Sequence, residues 1–312
     1  MYIISIYFFK GIVNALQFRF KYVKLLFMKT GCFLCPAACG AHRETEAGEC
    51  GGGNKIKIAK YGLHFYEEPC ISFKRGSGAI FFCGCSLKCV FCQNYELSRA
   101  LRGKEIDEKE LARIFFELEE RGAENINLVT AGHYIPQLCR AFHIYRPKIP
   151  VVYNTHSYEN VKALEAIDPF VDIYLPDLKY RSPKISERYT GKANYFAYAS
   201  RAVEFMMKKP LDMRGGKIYS GCIVRHLVLP LCANDSIEII KWFYARESEA
   251  YFSLMGQYIP CGDIEAFPEL QRRITRREYS KAADFLCSCG NERVFLQELS
   301  SADEKYIPDW DY

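Results

Sequence analysis

From residue 79 onward the chain alternates short apolar runs with longer amphipathic stretches. The runs at 79–83, 125–130, 149–154, 171–175, 222–229, 250–255 and 292–296 have strand length, and their apolar character predicts buried strands. Between them the spacing of apolar residues predicts helices at 108–121, 136–146, 159–167, 196–209, 235–246 and 275–287. The first is the clearest: Leu111, Ile114, Phe115 and Leu118 share one face, Asp107 and Glu110 form a capping-box-like start, and Gly122 ends it. Strands separated by helices specify parallel pairing through crossover connections, an α/β class. Six βα units are too few for a closed eight-stranded barrel and fit an open, partial (β/α)6 barrel.

Residues 1–28 depart from this pattern, being aromatic, apolar and sparsely basic. The run Tyr2 to Phe9 is too short to span a bilayer, and no small-residue cleavage site follows it. The segment reads as a non-essential extension with Met28 as an alternative start, or as a basic stretch lying at an interface. Residues 29–56 form a small cysteine-rich module, 57–78 a linker, 79–300 the α/β core and 301–312 a loose tail. The five cations within the first 29 residues account for the whole net charge of +5. The body is therefore neutral, with no electrostatic case for a nucleic-acid partner and no membrane span. Fifteen cysteines in a chain with long periodic helices point to metal ligation in a reducing, cytoplasmic compartment rather than to a disulfide scaffold.

The chemistry centres on Cys85-Ser-Leu-Lys-Cys89-Val-Phe-Cys92, three thiols in eight residues directly after the first core strand. Iron–sulfur clusters usually take four cysteine ligands. Three would leave one iron of a [4Fe–4S] cube open to a small molecule, and an open position is what separates catalytic from structural metal sites. The same triad also reads as a zinc site with Cys83 as fourth ligand, or as inert buried thiols. With Phe91 before the last cysteine, the motif resembles the radical S-adenosylmethionine (SAM) superfamily. Gly76 to Phe82, Gly84 to Asn94 and Tyr61 to Ser72 are similar, more narrowly, to pyruvate formate-lyase-activating enzymes and their uncharacterised iron–sulfur homologues.

That resemblance implies a TIM-like partial barrel of the radical SAM type, with SAM chelating the open iron and cleaved by one electron to methionine and a 5′-deoxyadenosyl radical. It also implies an oxygen-sensitive cluster in an anaerobic setting and a reduced flavodoxin or ferredoxin-like electron donor. The implied protein substrate is a glycyl-radical enzyme, activated at a glycine Cα–H. The alternatives are radical chemistry on a peptide, nucleotide or small molecule and, from another class, an Fe–S electron carrier or zinc-organised interaction protein.

In barrels of this kind chemistry collects at the carboxyl ends of the strands. By the same resemblance Asn154 and Asp177 are expected to touch SAM, and Arg225 to hold its methionyl carboxylate or ribose. The structural alternatives are a turn or cap for Asp177, with Lys179 as its partner, and a buried salt bridge for Arg225. His133 reads as an acid or base, or as a polar loop residue. Glu67-Glu68 before Pro69 reads as a turn. The quartet Cys32, Cys35, Cys39 and Cys50 has the spacing of a closed metal site and resembles the amino-terminal cysteine stretch of the same homologues. It reads either as a second Fe–S cluster relaying electrons or as a Zn2+ staple.

Overall fold

The structure, a computed structural model, describes residues 31–290, 292–297 and 299. The expectations for residues 1–28 and for the tail 301–312 lie outside the described residues. The strands are β1 (Ile56–His64), β2 (Ser77–Phe82), β3 (Lys104–Ile106), β4 (Ile126–Val129), β5 (Val151–Thr155), β6 (Ile173–Pro176), β7 (Asp212–Arg214), β8 (Lys217–Leu227), β9 (Tyr251–Met255) and β10 (Val294–Leu296). The helices are α1 (Pro69–Ser72), α2 (Tyr95–Ser98), α3 (Glu108–Glu120), α4 (Ile135–Ile144), α5 (Val161–Ile167), α6 (Pro183–Thr190), α7 (Tyr195–Met206), α8 (Ala233–Tyr244) and α9 (Arg276–Ser288).

The strands form one sheet in the order β10-β9-β8-β6-β5-β4-β2-β1-β3, with β7 paired beside β8. From β2 to β10 the neighbours on this path pair in parallel, while β1 lies antiparallel between β2 and β3. The two ends of the path do not meet, so the α/β fold is an open, partial barrel of six βα units, as the alternation predicts. The central strands β2, β4, β5 and β6 are buried at every position because helices cover them.

Helix α3 shows how the pattern becomes packing. Leu111, Ile114, Phe115 and Leu118 are buried, and Phe115 stacks on Phe142 of α4 at 4.8 Å between ring centres. Each such side chain contributes about 1.5–3 kcal/mol on leaving water. Asp107 caps the helix by accepting the Glu110 amide at 2.8 Å. The reciprocal half of the expected box is missing because Arg113 occupies the Glu110 carboxylate. A complete box forms instead at Thr275 and Glu278, at the start of α9.

Residues 57–78, read as a linker, prove to be structured. Ile56 and Ile58 turn inward from β1 on either side of Lys57, the alternation is lost beyond Ile58 where the register shifts at exposed Lys60, and the strand pairs with β2 from Ile58 to His64. Proline at the first position of α1 then starts a short buried turn that brings Glu67 and Glu68 under the barrel. Among the described residues no helix is long and apolar enough to cross a membrane.

Candidate functional site

Where β2 ends, the chain turns at once. Cys83 is buried and its thiol faces the Arg102 carbonyl at 3.0 Å, which makes it a packed strand-end residue and not a cavity-lining thiol. Gly84 follows with φ +93°, and a side chain there would meet the Cys50 carbonyl oxygen at 2.5 Å. Protein contacts hold the next eight residues from several sides. Leu87 and Phe91 are buried, and Phe91 meets Tyr189 and Tyr258 edge-on. The Val90 amide donates to the Tyr189 carbonyl at 3.0 Å, and its carbonyl accepts the Asp263 amide at 2.8 Å. The guanidinium of Arg99 donates to the carbonyl of Lys88, the residue whose left-handed φ of 53° makes the bend.

Cys85, Cys89 and Cys92 thereby line one wall of a cavity of about 420 Å3. Burial raises all three thiols, Cys89 to about 12, while the positive charge of Lys179 pulls each of them down. The Tyr180 hydroxyl lies 3.8 Å from the Cys89 sulfur. Among the described residues no three histidine, cysteine or acidic side chains are gathered as a single metal ion requires. A tetrahedral zinc holds each sulfur about 2.3 Å from one point, whereas a cube takes each thiolate at a separate corner. Cys85, Cys89 and Cys92, all lining one cavity, are the three thiolates such a cube would take with one iron left open.

The opposite wall is made at the carboxyl ends of β5, β6 and β8. Arg225 of β8 is nearly enclosed, and each of its three guanidinium nitrogens has a partner: Nε donates to Asp177 Oδ1 at 2.8 Å, Nη1 to Glu67 Oε2 at 2.9 Å and Nη2 to Asn154 Oδ1 at 2.7 Å. Asp177 Oδ2 takes Lys179 Nζ at 2.8 Å. Burial acts to raise the Asp177 carboxyl, but Arg225 and Lys179 outweigh it and hold the group at about 2. Tyrosine hydroxyls lock the backbone beneath: Tyr195 donates toward the carbonyls of His156 and Asp177, both at 3.0 Å. His156 lines the cavity as a neutral ring whose pKa burial lowers. Its Nδ1 accepts the Tyr158 amide, which places the proton on Nε2, 3.4 Å from the Ser86 hydroxyl.

The structure thus brings Asn154, Asp177, Arg225 and the three cysteines to one cavity. Of the two readings of Arg225 the structure shows the buried salt bridge, with Asp177, Glu67 and Asn154 occupying its fork. It corrects the reading of His133: the ring lies buried behind the cysteine loop, bonded to the Cys83 carbonyl at 2.7 Å, and burial lowers its pKa to about 3. Glu67, read as a turn residue, is a cavity residue whose second oxygen takes the side-chain amides of Asn127 and Asn154. Its neighbour Glu68 is buried with Oε2 lacking a hydrogen-bond partner, and burial raises its pKa. Thr155, His156 and Gln257 also line the cavity.

The chain is 30% identical over 285 residues to the uncharacterized protein MJ0674 of Methanocaldococcus jannaschii, spanning 87% of this chain and 78% of that protein. No protein-family model matches it. Among solved structures, Streptococcus suis SuiB bound to precursor peptide SuiA overlaps 70% of this chain at TM-score 0.47 and 13% identity. A radical SAM methyltransferase from Sphaerobacter thermophilus overlaps 71% at TM-score 0.46 and 11% identity. The overlap covers 48% of SuiB and 66% of the methyltransferase, so this chain spans about half of the first and just under two thirds of the second. Overlaps this loose carry no argument about chemistry.

Proposed function

The chain belongs to the family of the archaeal protein MJ0674, and from its own cavity we propose that it is a radical SAM enzyme. One observation carries the proposal: two buried cysteines and a half-buried third, on a loop that the protein itself holds in place, face a polar wall at the carboxyl ends of parallel strands, across a cavity of about 420 Å3. That volume lies in the range of cofactor-sized sites. When bound, a [4Fe–4S] cluster with one iron free of protein ligands, together with SAM, would supply a 5′-deoxyadenosyl radical for hydrogen abstraction.

Cys85, Cys89 and Cys92 would hold the cluster. Asn154, Thr155, His156 and Asp177 present the polar groups for the amino-acid and ribose ends of SAM, and Leu227, Met255 and Ile259 the apolar surface for its base. Arg225 acts as a positioning residue, fixing the Asp177 and Asn154 side chains from behind. Lys179 keeps Asp177 ionised and lies close enough to Cys89 to offset negative charge at the thiols. Phe81, Phe91 and Val129 give the same space apolar walls.

The finer reading rests on the resemblance around Gly76 to Asn94. It makes the hydrogen donor a glycine Cα–H of a glycyl-radical enzyme and the reductant a reduced flavodoxin or ferredoxin-like protein. Anaerobic reconstitution with iron, sulfide, reductant and SAM tests the broader proposal through 5′-deoxyadenosine. Protein that carries its cluster but releases none would instead be an electron carrier. The activase reading is tested by the glycyl-radical EPR signal of an added partner enzyme.

A further inference from the structure

We propose, building on that reading of the core triad, that Cys32, Cys35, Cys39 and Cys50 hold a second iron–sulfur cluster, joined to the first through the Cys50 carbonyl and the Cys85 amide. Residues 31–54 form turns and bends without a helix or strand, and the buried apolar side chains among them are few: Cys32, Leu34 and Cys50. A segment so poor in core needs a staple. Four thiols within this one segment could supply it. The Cys39 and Cys50 sulfurs lie 3.4 and 3.5 Å from the point where a Gly48 side chain would begin. The Gly52 amide points at the Cys50 sulfur from 3.4 Å, a contact that stabilises a thiolate and tunes a cluster.

The placement argues for an electron-carrying site over a purely structural one. The Cys85 amide donates to the Cys50 carbonyl at 2.9 Å, so the two ligand sets are joined by one hydrogen bond between two of their own members. Gly84 permits that approach because it has no side chain. Cys39, the exposed member, opens the set to solvent. A low-potential protein donor of the ferredoxin or flavodoxin class would lose one electron there and the core site would gain it, with no proton moved and no bond broken.

Metal analysis and EPR of the anaerobically reconstituted full chain test this. Wild type is expected to bind roughly eight irons, and Cys85→Ala/Cys89→Ala/Cys92→Ala and Cys39→Ser/Cys50→Ser roughly four each. Fully reduced wild type should show signals broadened by coupling between two neighbouring paramagnets, and neither variant should. Zinc, or no metal, in the triple-alanine variant overturns the second cluster. If that variant fails to fold, the iron-to-zinc ratio of wild type decides the same point. A wild-type spectrum equal to the plain sum of the two variants overturns the joint at Cys50 and Cys85. Broadened spectra with no signal responding to SAM would uphold this proposal while sinking the enzyme reading.

Discussion

The two cysteine sets differ in what holds them. Cys85, Cys89 and Cys92 sit on a loop clamped by Phe91 against two tyrosines, by backbone bonds to Tyr189 and Asp263, and by Arg99. Cys32, Cys35, Cys39 and Cys50 sit on a segment held to the barrel by scattered polar contacts: the Cys50 carbonyl, Arg43 on the His133 carbonyl, Asn160 on the carbonyls of Phe33 and Leu34, Lys192 on the Glu49 carboxylate and Gln137 on the Asn54 carbonyl. A catalytic site profits from a scaffold that fixes its ligands before the cofactor arrives. A closed four-ligand site can instead use the metal to organise its own loop. The difference teaches which set to expect in place without metal: the barrel's triad.

The largest effect is expected from Cys89→Ala, which should take 5′-deoxyadenosine formation to background, a loss of at least about a hundredfold. Its counterpart Cys35→Ala should leave the core cluster's absorption and EPR in place. Disappearance of that spectrum in Cys35→Ala would break the division into two regions. Next is Arg225→Met, which leaves Glu67 without a cationic partner and Asp177 with Lys179 alone, and should cost about 3–5 kcal/mol in denaturant unfolding. Adding Glu67→Gln and Asp177→Asn should recover most of it. A single variant of wild-type stability would show that the Arg225 network does not hold the wall.

A smaller effect, about 1–3 kcal/mol, is expected from Gly84→Ala, because φ +93° and the Cys50 carbonyl both oppose a side chain. The loss should appear with increased proteolysis of residues 31–54, and unchanged cleavage would separate the two regions again. The smallest concerns His226, whose buried ring has a pKa lowered to about 4, between the Leu178 carbonyl and the Ser236 hydroxyl. Below the usual histidine pKa the unfolded chain binds a proton that the folded ring refuses, so stability is full above about pH 6.5 and falls as pH drops toward 4. His226→Asn should lessen that slope by up to about 1.4 kcal/mol per pH unit, read from unfolding between about pH 6.5 and 5. An unchanged slope would assign the acid sensitivity to other groups.

By itself the sequence determined the elements and the triad. Apolar runs of strand length and the Leu111-Ile114-Phe115-Leu118 face are local patterns, and so is the spacing of Cys85, Cys89 and Cys92, because all lie within one turn, strand or loop. Asn154 and Asp177 came from the family resemblance and not from a local pattern, and the structure places both on the cavity. Only the tertiary structure decided how Arg225 is used, since its partner Glu67 lies 158 residues away on a segment whose lysine-interrupted alternation reads as a linker. It also decided that His133 is enclosed and that the Cys50 carbonyl meets the Cys85 amide. Hydrogen bonds between distant segments leave no periodic trace in either segment, because they depend on where the folded sheet brings the two backbones together.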